Sequence, residues 1–137
     1  MLPSAGIVAD ANVLLSAVIG KAAARVVYEF EVPLHVTDFN AREVEEYLPK
    51  MAAKYHFAVE HLVLDWMFLP LKLHSEDKYR NRLAWAQRAL AGRDPEDAHA
   101  LALASVLQLP LWTNDRDLQG LGVETYTTAQ LLRHLTA

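Results

Sequence analysis

GIVAD, residues 6–10, is an apolar run that ends in a carboxylate and leads straight into ANVLLSAV, residues 11–18, where apolar side chains recur at helical spacing. Ile7, Val8 and Ala9 show no polar alternation, which marks a strand covered on both faces. Outward from this unit the same alternation of short strand and helix repeats. LHVT (34–37), LKLH (71–74), LWTN (111–114) and VETYT (123–127) read as further strands. Helical spacing fills residues 11–31, 41–55, 59–68, 78–91, 95–107 and 128–135. Pro33, Pro70 and Pro110 each stand just before a strand, where proline ends a helix and starts extended chain. Strands alternating with helices predict an α/β fold: three layers, α/β/α, around a central parallel sheet of four to five strands.

The chain has 137 residues, 53% of them apolar and 22% charged, enough for a single domain, 1–137, with one core. The longest apolar stretches, 13–19 and 100–107, fall short of the roughly 20 residues that span a bilayer. The first residues lack the basic region and small-residue cleavage site of a secretory signal. Cysteine is absent, which excludes disulfide frameworks, thiolate zinc sites and cysteine nucleophiles, and accords with a cytoplasmic location. A net charge of −4 argues against a surface that binds nucleic acid all over, and leaves room for a local basic groove or an acidic pocket that uses metal. No P-loop or GxGxxG fingerprint occurs.

In open parallel sheets, sites form beyond the carboxyl ends of the strands. Asp10 stands past the first strand, and Asp115 and Asp117 past residues 111–114. Asp94 and Asp97 stand at the start of the helix after Pro95, and Glu43 and Glu46 lie in the first two turns of another. Acids converging on one edge repel each other unless a cation sits among them. Oxygen donors suit hard ions such as Mg²⁺ or Mn²⁺. His56 and His61, five apart, give no zinc pair. Each acid also has a structural role open to it. Asp10 or Asn12 can cap the first helix, and Asp94 with Pro95 makes a good helix start. Asp117 can cap a turn at 118–121, leaving Asp115 to serve the site.

IVADANVLLSAVIG (7–20), AREVEEYL (41–48) and RDPEDAHALALASVLQLPLWTNDRDLQGLGVETYTTAQLL (93–132) resemble the three blocks of a PIN domain, the nuclease fold of VapC-type toxins and other ribonucleases. The resemblance is weakest over 54–92. It implies an acidic quartet of Asp10, Glu43, Asp97 and Asp115, with Asp94 and Asp117 as auxiliary acids. Asp10, Asp97, Asp115, Asp94 and Asp117 are the metal candidates. Glu46 competes with Glu43, which is chosen because Leu48 then falls where the family has a hydrophobic residue. Asn12 and Thr113 stand where the family orients a carboxylate or contacts phosphate. The implied chemistry is Mg²⁺- or Mn²⁺-dependent hydrolysis of RNA phosphodiesters, giving 5′-phosphate and 3′-hydroxyl ends.

The resemblance also implies partners: an RNA substrate, a cognate antitoxin peptide of a type II toxin–antitoxin pair, and a second copy in a homodimer, with no membrane. Lys72, Lys78, Arg80, Arg82, Arg88 and Arg93, interleaved with Tyr79 and Trp85, offer a basic stretch where an RNA backbone and bases can lie. The alternative is an amphipathic helix with Trp85 in the core. Arg93 is the best placed of these for phosphate. Trp66, Met67 and Phe68 read either as core or as a partner surface. Two other functions compete: a PIN-like binding module that no longer cuts, and a Mg²⁺-dependent phosphatase or phosphotransfer domain. The phosphatase expects a second aspartate at the first strand, where Asp10-Ala11-Asn12 has an amide, and the phosphotransfer domain expects a lysine after a late strand, where Thr128-Ala129 follows 123–127.

Overall fold

Five short strands pair side by side, all parallel, in a computed structural model that describes residues 2–137. They are β1 (Ile7–Ala9), β2 (Leu34–Thr37), β3 (Leu71–His74), β4 (Leu111–Trp112) and β5 (Thr125–Tyr126), in the order β3-β2-β1-β4-β5. From β1 the chain winds outward through β2 to β3, then crosses back to place β4 and β5 on the other side. Val8 is thus in register with both His35 of β2 and Leu111 of β4. The reversal opens a crevice at the carboxyl ends of β1 and β4. Seven helices flank the sheet among the described residues: α1 (Ala11–Val18), α2 (Ala22–Tyr28), α3 (Asp38–Tyr55), α4 (Val59–Phe68), α5 (Arg80–Ala89), α6 (Asp97–Leu107) and α7 (Thr128–Thr136).

The unalternated β1 run behaves as its composition requires. Ile7 and Ala9 enter the core built with α1 to α4 and α7, whereas Val8 enters the second core with α5 and α6. All three are fully buried. Gly6 leads into β1 at φ +102°, and a Cβ there would collide with the Pro33 carbonyl that accepts the Ile7 amide. Only glycine tolerates both the backbone angle and the approach. In α6, Ala98, Ala100, Ala102 and Ala104 are buried, and their small side chains let the helix lie close against the sheet. A helix apolar on nearly every side belongs between layers.

Several boundaries differ from the periodicity reading. Residues 11–31 form two helices at 89° to each other rather than one. The break is chemical: Gly20 takes φ +84°, its amide bonds Ala17 O, and the Lys21 amide bonds Ser16 O. Those two bonds are the glycine-terminated helix end that satisfies orphan carbonyls. α3 starts at Asp38, three residues before the expected 41, because the Thr37 hydroxyl caps the Asn40 amide at 2.9 Å. The expected helix 78–91 is a 3₁₀ turn, Glu76–Lys78, followed by α5. No single helix among the described residues is long and apolar enough to cross a membrane.

Candidate functional site

The crevice between β1 and β4 gathers acids from four segments. Asp10 follows β1 and is only 3% exposed. Its Oδ1 accepts the Val13 amide at 3.0 Å, so it is the N-cap of α1. The capping role that the sequence allowed is filled, and the same carboxylate stands beside Thr113 and Asp115. Burial raises its pKa above the usual carboxylate range; hydrogen bonds from Thr113 and the Val13 amide pull it back, and the nearby Asp115 charge pushes it up.

Thr113, just past β4 and buried, sits between two acids. Its hydroxyl bonds the Asp10 carboxylate and accepts the Asp115 amide at 3.1 Å. Asp115 in turn accepts the Asp117 amide at 2.9 Å and caps the turn Arg116–Leu118. The turn is therefore capped by Asp115, where the sequence reading had Asp117 capping one at 118–121. Asp97 occupies the first turn of α6. One oxygen each of Asp94, Asp97 and Asp115 lies within 4.8 Å of the others, a group that could hold a metal ion. Burial first, then the charges of Asp10, Asp115 and Asp94, push the Asp97 carboxyl up to about 7. This crowding is what a divalent cation would relieve.

Asp94 does not cap α6 with its side chain. The helix starts at Asp97, not Pro95, and no side chain makes a cap bond there. Asp94 has φ +33° rather than the extended backbone of a cap, so its carbonyl accepts the Asp97 amide while its carboxylate joins the acid group. Asp117 lies outside that group. It is exposed and paired with Arg93 at 3.2 Å. Arg93 also donates from Nε to Leu90 O, and its side chain stays half exposed beside Asp117. Asn12 borders the groove beside the acids.

Glu43, on α3, borders the same groove as Asp94, Asp97 and Asp115, whereas Glu46 lines a neighbouring hollow with Phe39 and Arg42. The geometry thus favours Glu43 of the two. Burial raises its pKa, countered by Asn40 and reinforced by Glu96, Asp10 and Glu46. Asn40 is the residue that sequence reasoning missed. It is buried and donates from Nδ2 to Glu43 Oε1 at 2.6 Å. Its amide cannot turn round, because the Thr37 hydroxyl donates to Oδ1 at 2.9 Å. The signal was present as Thr37, Asn40 and Glu43 at steps of three along one helix start.

The basic stretch is not an open stacking surface. Tyr79 is 1% exposed, with its hydroxyl 2.7 Å from His99 Nδ1. Trp85 packs against the second core, and the Arg82 guanidinium lies 4.2 Å over its ring with Nε on Ser105. Arg80 pairs with Glu76 and Asp77. Trp66 is likewise mostly buried, whereas Met67 and Phe68 are 71% and 75% exposed.

The family model described as PIN domain matches residues 8–136. No curated protein matches the sequence. Among solved structures, the chain is similar to PAE2754 from Pyrobaculum aerophilum, with a TM-score of 0.69 and 21% identity over 99% of this chain and 98% of that one. At that identity the likeness is one of fold.

Proposed function

Because the chain belongs to the PIN domain family, whose members are generally nucleases, we propose that it is a metal-dependent endoribonuclease. The observation that carries this reading is the convergence of Asp94, Asp97 and Asp115, with buried Asp10 tied to Asp115 through Thr113. The donor set consists of oxygens alone, and one of its carboxyls is pushed to about 7 by its neighbours, which fits a hard divalent ion such as Mg²⁺ or Mn²⁺. Asp94, Asp97 and Asp115 would hold it, with Asp10, outside that group, beside them. When bound, such an ion supplies positive charge that offsets the acids and stabilises charge developing on a phosphate under attack.

The chain's own groups do the rest. Thr113 fixes the Asp10 carboxylate, and its bond to the Asp115 amide holds the strand end from which Asp115 projects. Glu43, oriented by Asn40 and with a raised pKa, would hold an attacking water or assist its deprotonation. The water oxygen bonds phosphorus as the bond to the 3′ oxygen breaks, and that oxygen leaves taking a proton from solvent water. The ends are a 5′-phosphate and a 3′-hydroxyl. Asp117 and Arg93 pair with each other at the surface.

Asp10→Asn tests the assignment, since asparagine caps a helix about as well as aspartate. Mn²⁺-dependent cleavage of single-stranded RNA should vanish while the unfolding midpoint stays close to that of the parent. Equal cleavage by both proteins removes Asp10 from the chemistry, and no cleavage by the parent with any divalent ion favours the non-cutting binding module. The finer reading is a cytoplasmic toxin of a type II pair, silenced by an antitoxin peptide and dimeric through an apolar face. Exposed Met67 and Phe68 on α4 support such a face. A short upstream reading frame for a DNA-binding peptide is the expected accompaniment, and its absence argues for a housekeeping nuclease.

A further inference from the structure

The acids occupy one end of a groove of about 560 Å³ that continues between α1 and α3 to Lys21 and Tyr55. Along α3, Glu43, Tyr47, Met51 and Tyr55 follow each other at steps of four and all face this groove. Four-residue steps stay on one helix face, and the twelve residues from Glu43 to Tyr55 cover about 18 Å of axis. The chemistry changes along that length. Carboxylates dominate the near end. At the far end, Lys21 Nζ donates to the Tyr55 hydroxyl at 3.1 Å. Lys54 Nζ lies 5.4 Å from the centre of the same ring, and Lys50 Nζ lies 5.1 Å from that of Tyr47. Tyr47 is 46% exposed.

Three cations and two aromatic faces in a chain of net charge −4 need a reason. Among the described residues none of the three lysines forms an ion pair, in contrast to Arg80 and Arg93, whose guanidinium groups are held by acids. Lysines near the last turns of a helix complement its dipole, which accounts for Lys54. It does not account for Lys21, which comes from the α1–α2 bend and reaches across to Tyr55. Unpaired ammonium groups suit phosphates, and the exposed Tyr47 ring suits an unstacked base. A duplex keeps its bases inside and offers no such face. The Tyr55 ring is already flanked by Lys21 Nζ at 4.9 Å and by the stacked Phe57, and so steadies the lysines.

We propose that Lys21, Tyr47, Lys50, Lys54 and Tyr55 form a single-stranded RNA subsite, in which Tyr47 stacks a base, the Tyr55 ring positions Lys21 and Lys54, and the lysines hold the backbone that leads to the acid cluster. The choice of RNA as ligand rests on the nuclease reading of the acids. The subsite also replaces the basic stretch at 72–93 as the path of the strand.

The test is fluorescence anisotropy with a fluorescein-labelled eight-nucleotide oligouridylate and Mn²⁺, in the Asp10→Asn background so that the probe stays whole. Tyr55→Ala and the more exposed Tyr47→Ala should each weaken binding about tenfold, and Tyr55→Phe should retain it. Lys21→Met should lower the slope of log K against log salt by about 0.7, the loss of one phosphate contact on a single strand. Unchanged affinity in both alanine variants overturns the subsite. So does equal binding of an eight-base-pair RNA duplex, or displacement of the probe by polyglutamate as effective as by unlabelled RNA. Cleavage by the parent chain separates the two ideas. RNA cut by the parent but bound equally by the alanine variants removes the subsite and leaves the nuclease. RNA left whole by the parent but bound through Tyr55 does the reverse.

Discussion

Replacing Asp97 with asparagine should make the metal-free protein more stable at alkaline pH. Burial, with Asp10, Asp115 and Asp94 close by, moves the Asp97 carboxyl from an ordinary 3.8 to about 7. That is roughly three powers of ten in proton affinity, or ~4 kcal/mol without screening at about 1.4 kcal/mol per tenfold. Asp97 is half open to solvent, so water and salt reduce this to about 1–2 kcal/mol. The sign follows from proton uptake. Folded Asp97 holds its proton more tightly than the unfolded residue does, so stability falls as pH rises from about 4 to 7. The penalty is absent below the unfolded pKa and complete above about 7. An amide never ionises and escapes it. Urea unfolding in EDTA near pH 8 should place Asp97→Asn about 1–2 kcal/mol above the parent, and the gap should close towards pH 4. Excess Mn²⁺ should reverse the order, because binding at a hundredfold excess over Kd adds about 2.7 kcal/mol to the protein that retains the site. A variant no more stable than the parent at pH 8 without metal refutes the idea that these acids are held together against their own repulsion.

Thr113→Val removes the hydroxyl between Asp10 and Asp115 and leaves a half-buried amide unpaired; unfolding should show a loss of about 1–2 kcal/mol, and calorimetry a weaker metal site. An unaltered metal affinity would mean that the two acids are held apart from Thr113. Asn40→Ala removes a bond that lowers the Glu43 pKa, so the acidic limb of the pH–rate profile should move to higher pH with little change in fold. A limb that stays in place disconnects Glu43 from the rate. Gly6→Ala forces a side chain onto the Pro33 carbonyl at φ +102°, and should cost about 2–4 kcal/mol by chemical denaturation. Wild-type stability would show that β1 can shift at no expense.

Much of the fold was legible because the strands carry their environment in their composition. Ile7-Val8-Ala9 has no polar face to lose, and the proline before each of β2 to β4 or its neighbour punctuates the chain where the structure does. What was not legible depends on backbone angles. Periodicity runs unbroken through residues 11–31, and only the left-handed Gly20 turns them into two helices. Asp94 reads as a cap because Asp-Pro is good cap chemistry, yet its φ of +33° sends the carboxylate to Asp97 and Asp115. Residue type located the acids, whereas pairing decided their neighbours: Asp117 met Arg93, and Glu43 met Asn40. The arginines of 72–93 looked available because sequence shows charge and hides partners such as Glu76, Asp77 and Ser105.

The register of β1 against β4 joins residues about a hundred positions apart, and the crevice exists only where those two strands lie together. A chain growing on the ribosome can fold β1, α1, β2 and α3 early and still display only Asp10 and Glu43. The group of Asp94, Asp97 and Asp115 is complete only after the segment bearing Asp115 has emerged and docked beside β1.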